Sequence, residues 1–549
     1  MIKSCPAPRK AWAALAFVHL IALAVLLAWV AAQTRPVTMP GLELAQDEKL
    51  RCVSYSPFHR PGQTPYDEKL TIPRRQIEED LRAISAITGC VRIYSIDRGL
   101  DQVPGVAHGM GLKVLLGVWV GYDRKRSAIE LERAITLANT YRDTVRAIVV
   151  GNEVLLRRER TAEEMRALLD STRAKSPVPV TYADVWEFWL KNTALAAHVD
   201  FITVHILPFW EDDPVDIGRA LAHVDEVRKK IGAVFAGKPI LIGETGWPGA
   251  GRQRGKSLPS KANQARYIRE FVQRAHDSGW DYNLIEAIDQ PWKRTLEGTV
   301  GGNWGMLSAD TLQTKFPFSG PVSERENITA PLIGTGTGAI LALLLALVGH
   351  TRTPTRQPMR LAALTLTGAA TGLVAVLHAE HARLAYATLT HWAALGAVAL
   401  ATLAMCAALT RWPGNPLTAA DLAWQRIRTA GLQSGATDIL CVLRGFLLFA
   451  AAVAALLLLI DPRYRDFPSL LYLTPAMIYG VIGWLRGNGF SRAERICAAL
   501  IALCATARWL FEPANPQAIG WLLVSLALAL SVLVRRRHRG IRPQQAEKP

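Results

Sequence analysis

Apolar residues are spread along this chain in two ways. Over residues 11–32, and again from about 329 to 534, they run almost without interruption, in stretches long enough to cross a bilayer, which takes ~20 residues of helix. Between about 49 and 325, short β-branched or apolar runs alternate with longer stretches whose apolar positions recur at helical spacing. The short runs are RCVSYSPF (51–58), CVRIYS (90–95), KVLLGVWV (113–120), RAIVVGNE (146–153), PVTYADVW (179–186), DFITVHILPFW (200–210), KPILIGE (238–244) and YNLIEAIDQPW (282–292). Helical stretches such as 128–141, 162–175 and 261–277 separate them. Strands alternating with helices over a domain of this length predict an α/β fold, a (β/α)8 TIM barrel.

The long apolar runs predict an α-helical polytopic membrane domain. Eight spans are read, at about 11–32, 330–349, 361–378, 385–409, 439–460, 468–485, 495–511 and 518–534. The first exceeds the 7–15-residue apolar core of a signal peptide and is read as an uncleaved anchor. The expected organisation is a cytoplasmic tail (1–10), the anchor, a linker (33–48), the barrel (49–325), a seven-helix membrane domain (329–534) and a basic cytoplasmic tail (535–549).

Charge decides the orientation. The formal net charge is +17, yet residues 35–325 hold 40 Lys+Arg against 37 Asp+Glu, a balance of +3, so +14 belongs to the membrane parts and is no nucleic-acid footprint. One side of the membrane would carry Lys3, Arg9, Lys10, Arg352, Arg356, Arg360, Arg411, Arg426, Arg428, Arg486, Arg492 and the RRRHRGIR tail (535–542); the other only Arg383, Arg463 and Arg465. The positive-inside rule then puts both termini in the cytoplasm of a multi-pass inner-membrane protein and the barrel in the periplasm. Arg444 and Arg508, near span ends, are read as snorkelling to the interface.

Of seven cysteines, only Cys52 and Cys90 fall in the exported domain, where a disulfide is permitted but awkward directly across neighbouring strands, so their pairing stays open. No Cys/His cluster has metal-ligand spacing, and neither metal nor cofactor is expected.

In a TIM barrel the site forms at the carboxyl ends of the strands. Those ends carry Tyr55, Arg92 and Tyr94, Trp119, Asn152 and Glu153, Asp184 and Trp186, His205 and Trp210, Glu244 and Trp247, then Asp289, Gln290, Trp292 and Lys293. A lone strand-end Glu is as readily a salt bridge as a catalyst. Two of them facing across a mouth suit glycoside chemistry, which needs a proton for the leaving oxygen and an anion at the anomeric carbon. Aromatic rings suit the apolar faces of sugars.

Four ordered motifs, VRIY (91–94), VVGNEV (149–154), IGETGWPGAG (242–251) and IDQPWK (288–293), resemble family-17 glycoside hydrolases, the β-1,3-glucanase and glucanosyltransferase family, over about residues 49–320. TYADVWEFWL (181–190), HILPFWED (205–212) and LEGTVGGNWG (296–305) make the resemblance closest to bacterial membrane-attached members. The resemblance implies a retaining enzyme with Glu153 as acid/base and Glu244 as nucleophile, the neighbouring strand-end residues binding substrate. The charge of Glu244 is expected to raise the pKa of Glu153, and Arg92 to hold Glu244 ionised. Two departures stand out: Gln290 replaces a further Glu of plant-type members, and Gly249 replaces the Ser of their WPS.

The membrane half shows no QxxRW or DxD pattern, so existing glucan rather than a sugar nucleotide is expected as donor. The expectation is a membrane-anchored periplasmic β-1,3-glucan transglycosylase whose partners are β-glucan, the lipid bilayer and a separate glucan synthase. A β-1,3-glucan hydrolase, and a non-catalytic glucan-binding or export component, are the alternatives.

Overall fold

The computed structural model describes residues 9–42, 48–348, 358–430, 435–486 and 489–534. These form two compact units, one from Pro36 to Glu324 and one from the chain up to Arg35 together with the chain from Arg325. Lys3, Cys5, Arg352, Arg356 and the 535–542 tail lie outside the described residues.

The first unit is a closed barrel of eight parallel strands in sequential order. The strands are β1 (Val53–Ser54), β2 (Cys90–Ile93), β3 (Lys113–Val118), β4 (Val145–Asn152), β5 (Val180–Val185), β6 (Ile202–His205), β7 (Ile240–Thr245) and β8 (Asp281–Leu284), and β1 closes on β8 through Val53 and Leu284. Each falls within or beside an expected run, but β1, β6 and β8 stop several residues early. Pro57, Pro208 and Pro291 follow in those runs, and proline cannot donate to a ladder. The helices begin where the sequence offers a cap. Thr161 and Glu164 make a reciprocal capping box for Ala162–Lys175, and the Ser260 hydroxyl accepts from Asn263 N–H at the start of Lys261–Asp277.

Side-chain alternation sorts the two cores. Val53, Val91, Ile93, Val114, Leu116, Ile148 and Val150 face the helices, whereas Cys52, Cys90, Leu115, Ala147, Val149, Ala183 and Leu241 form a separate small cluster. Cys52 and Cys90 are joined by a disulfide within that cluster, with Cα atoms 4.4 Å apart. This settles the pairing that the sequence left open.

The second unit is helical. Six described helices are long and apolar enough to cross a membrane: Arg9–Gln33, Thr329–Val348, Pro358–Ala385, Leu389–Thr410, Ala436–Ile460 and Pro516–Leu533. The other two expected spans coincide with the helices Ser469–Arg486, which carries an internal Pro475, and Arg492–Phe511, which carries Arg492, Glu494, Arg495 and Arg508. Arg444 does not snorkel. It is 1% exposed, donates through Nε to Glu494 Oε1 at 2.8 Å, and reaches the carbonyls of Thr418 and Gly489. Arg508 likewise pairs with Glu512. Such cations are retained where a carboxylate of the same bundle meets them, and breaking a buried pair by removing one partner costs about 3–5 kcal/mol. In GTGTG (334–338) the small residues serve close packing: a Cβ on Gly338 would lie 2.1 Å from the carbonyl oxygen of Gly368 on the neighbouring helix.

The disulfide closes a loop of sequence separation 38, worth about 4 kcal/mol on the chain-entropy account. Alkylation of the denatured, unreduced protein is therefore expected to label five of its seven cysteines, with all seven labelled after reduction, as read by intact mass. Seven labels without reductant would refute the bridge.

Candidate active site

The carboxyl end of the barrel gathers its charged groups around one buried cation. Arg92 on β2 is 1% exposed. Its Nη1 donates to the carbonyl of Gly243 at 2.7 Å and lies 3.3 Å from Glu244 Oε1, while Nη2 donates to Asn152 Oδ1 at 2.5 Å. His205 completes the group. Its Nδ1 is 2.8 Å from Glu153 Oε1, and its Nε2 is 3.6 Å from Glu244 Oε1 and 3.4 Å from Arg92 Nη1.

Local irregularities aim these side chains. The β6–β7 register shifts between Val204 and His205, so that His205 faces Glu244 rather than Gly243. Strict alternation from the inward-facing Leu241 would turn Glu244 toward the helices; the shift returns it to the mouth. The β4–β5 register shifts between Val149 and Asn152, and the next residue, Glu153, has φ +54, a left-handed conformation rare for a side-chain-bearing residue. Its N–H donates to the carbonyl of Ala183 at 2.8 Å, which anchors the turn to β5.

The result is a compact carboxylate pair. Glu153, His205 and Glu244 each present a polar atom within 4.8 Å of the others. That spacing would also admit a metal ion, but the Arg92 guanidinium already lies against the same atoms and supplies the positive charge there. Burial pushes the proton affinity of Glu153 up, yet the hydrogen bond and charge of His205, with Arg157 and Arg92, outweigh it and leave the pKa lowered. The expected rise is thus corrected. The nearest hydrogen-bond partner of Glu153 is a donor, and a donor favours the anion. Asp184 lies behind the pair, fully buried and pushed up to about 6 by burial, its oxygens meeting the Tyr182 hydroxyl and Val185 N–H. Tyr94 bonds Ser54 Oγ at 2.8 Å, and burial followed by the charge of Glu244 pushes its hydroxyl well above the usual range.

Several expected substrate contacts are buried instead. Tyr55 follows Ser54, which bonds inward to Tyr94 and Asn283, so alternation sends the Tyr55 ring outward to donate to Asp80 on the helix Arg74–Ser85. Trp247 has no exposure and packs on Phe209 and Tyr267, donating to the carbonyl of Leu258. Gln290 is sealed against the carbonyls of Ser56 and Ile288. Asp289 accepts from Lys315 Nζ and Gly305 N–H. Trp186 is half-buried between Glu211, which its indole bonds at 3.1 Å, and Lys230. Trp210 is half-buried and stacks on Trp304.

Around the mouth, Trp119 is 41% exposed beneath Arg157, whose Cζ lies 4.2 Å over its ring, and Trp292 is half-buried beside Tyr66. Sequence reasoning missed Tyr66 and Tyr122, which are exposed loop aromatics, and Arg157. It also missed Glu286, a fully buried carboxylate pushed up to about 7 by burial against the pull of Lys293, whose Nζ is 2.8 Å away. Lys293 itself, resisted by burial, is raised by Glu286, Glu297 and Glu244. The signal for Glu286 was a single acid inside the apolar run LIEAI, which was taken as strand.

Comparisons with known proteins place this barrel among glycoside hydrolase domains. Residues 52–305 match the BtgE/BtgC glycoside hydrolase domain. A glucan 1,3-beta-glucosidase of Saccharomyces cerevisiae is 24% identical over 262 residues, 43% of this chain and 83% of that protein. A probable beta-glucosidase btgE of Emericella nidulans is 31% identical over 232 residues, 40% of each chain. This chain thus spans less than half the length of that relative. A β-1,3-glucanosyltransferase of glycoside hydrolase family 17 from Rhizomucor miehei is 22% identical, covering 49% of this chain and 96% of that one, with a TM-score of 0.43. Over residues 52–305 the barrel is thus similar to the BtgE/BtgC glycoside hydrolase domain, a domain that acts on glycosidic bonds.

Proposed function

We propose that the barrel cleaves β-1,3-glucan with retention and passes the glucosyl unit to another glucan, at the periplasmic face of the membrane that anchors the chain. The observation that carries this is the placement of Glu153 and Glu244, with oxygens within 4.8 Å of each other, beside the buried Arg92. Retaining glycosidases hold their carboxyl groups ~5–5.5 Å apart, whereas inverting ones leave room for a water.

Glu244 attacks the anomeric carbon while Arg92 holds one of its oxygens. Glu153 gives its proton to the leaving oxygen as that bond breaks. The proton reaches Glu153 when sugar covers its exposed edge, since removal from water favours the neutral acid. An acceptor hydroxyl then loses its proton to Glu153 and displaces Glu244, restoring both carboxyls. Asn152, oriented by Arg92, is placed to bond a sugar hydroxyl.

Water and sugar compete for the same glucosyl ester, and sugar prevails only if it is held; effective molarities of ~10⁵ M or more for oriented groups make that sufficient against ~55 M water. Trp119, Tyr66, Tyr122 and Trp292 supply the rings for such an acceptor site. Hydrolysis is the second reading, favoured by the name of the yeast relative, glucan 1,3-beta-glucosidase. The arginine asymmetry supports the orientation, and an even number of spans leaves both ends of the chain on one side. A separate synthase would supply the glucan.

Glu153→Gln and Glu244→Gln are each expected to lower turnover of laminari-oligosaccharides by ~10³-fold or more with little loss of folding, and the double variant to cost little beyond the worse single. Near-normal turnover in either one sinks the assignment. With millimolar laminari-oligosaccharide, products longer than the substrate should precede glucose; only shorter products at every concentration would leave hydrolysis standing. A reporter active only in the periplasm should work when fused after Arg325 and fail when fused at the C-terminus, and the reverse pattern would overturn the orientation.

A further inference from the structure

Among the described residues His205 pairs with both glutamates, and the barrel makes room for it. A Cβ on Gly243 would lie 2.4 Å from Thr203 Cγ2, 3.2 Å from His205 Cδ2 and 3.4 Å from His205 Nε2, so the ring occupies space that any larger residue at 243 would take. The ring is 1% exposed, and the register shift of β6 against β7 begins at this residue. Charged and titratable groups face it from four strands: Arg92 on β2, Glu153 at the end of β4, Asp184 on β5 and Glu244 on β7.

Which ring nitrogen carries the proton follows from these partners. Arg92 Nη1 is a donor that cannot be deprotonated, and it lies 3.4 Å from Nε2. Nε2 also stands 3.6 Å from the acceptor Glu244 Oε1, so the tautomer is decided at the other nitrogen: ionised Glu153 offers only acceptors, and its Oε1, 2.8 Å from Nδ1, takes a hydrogen from it. With Oε1 taken, a proton on Glu153 sits on Oε2.

We propose that His205 is a positioning residue for the acid/base step, its Nδ1–H pinning one oxygen of Glu153 so that only the other can serve a sugar, and that it sets the pH above which the enzyme loses its acid. This rests on the roles proposed for the two glutamates. A donor on Oε1 favours the ionised carboxyl, which agrees with the lowered proton affinity of Glu153. Catalysis that needs protonated Glu153 therefore fails as pH rises through that group's pKa, and removing the donor moves the failure to higher pH.

The test compares His205→Ala, which removes the donor, with His205→Asn, whose side-chain amide can donate from the place of Nδ1. In the full-length protein in detergent, the alkaline limb of kcat/KM for laminari-oligosaccharides should move up by about one pH unit in His205→Ala and stay near wild type in His205→Asn. His205→Gln puts its amide at the Nε2 end and should behave as the alanine variant, covering the case in which the latter does not fold. An alkaline limb that stays put in both donor-lacking variants, or moves equally in His205→Asn, overturns the proposal. Infrared titration of the carboxyl band that Glu153→Gln abolishes needs no substrate; its midpoint should rise in His205→Ala, and an unchanged midpoint overturns the proposal. Absence of turnover on any β-glucan would count against the proposed function, while the infrared titration would still decide the role of His205.

Discussion

A guanidinium with almost no access to water is the fixed point of the barrel. Isolated, the Arg92 charge would be prohibitively costly in that position, so the surrounding chain is obliged to answer it. The carbonyl of Gly243, the amide oxygen of Asn152 and the carboxylate of Glu244 do so, and they come from β4 and β7 on opposite flanks of the barrel mouth. The ends of these strands are thereby held in register by electrostatics as well as by their ladders. The register shifts beside Glu153 and Glu244 are tolerable because this network takes over where regular pairing stops.

The same cation divides the labour between two chemically identical side chains. Glu244 is bound to it directly, whereas Glu153 is bonded to His205 and feels the Arg92 charge from further off. Unlike environments are the usual means by which two carboxyls acquire unlike roles. Here the difference arises from which strand each group occupies, and so from the topology itself.

Much of this was legible in the sequence, for identifiable reasons. Alternating strand and helix periodicity located all eight strands, and the strand-end position of Glu153, Glu244, Arg92 and His205 was enough to bring them together, because a parallel barrel sends every strand end to one face. Position along a run does not reveal which way a side chain turns once the strand has ended. Tyr55, Trp247 and Gln290 therefore read as site residues and are core, while Glu286 read as strand and lies beside Lys293. In the membrane unit, hydropathy could not foresee that Arg444 would find Glu494 fifty positions away.

The left-handed backbone at Glu153 has a further consequence. Holding a side-chain-bearing residue there costs of order 1 kcal/mol or more, which glycine would not incur. On the proposed reading, the residue that donates the proton is therefore also one where the fold would gain from its loss. Stability and turnover pull this position in opposite directions, and a lineage released from the need to cut glucan would have a downhill path to a sturdier, silent barrel.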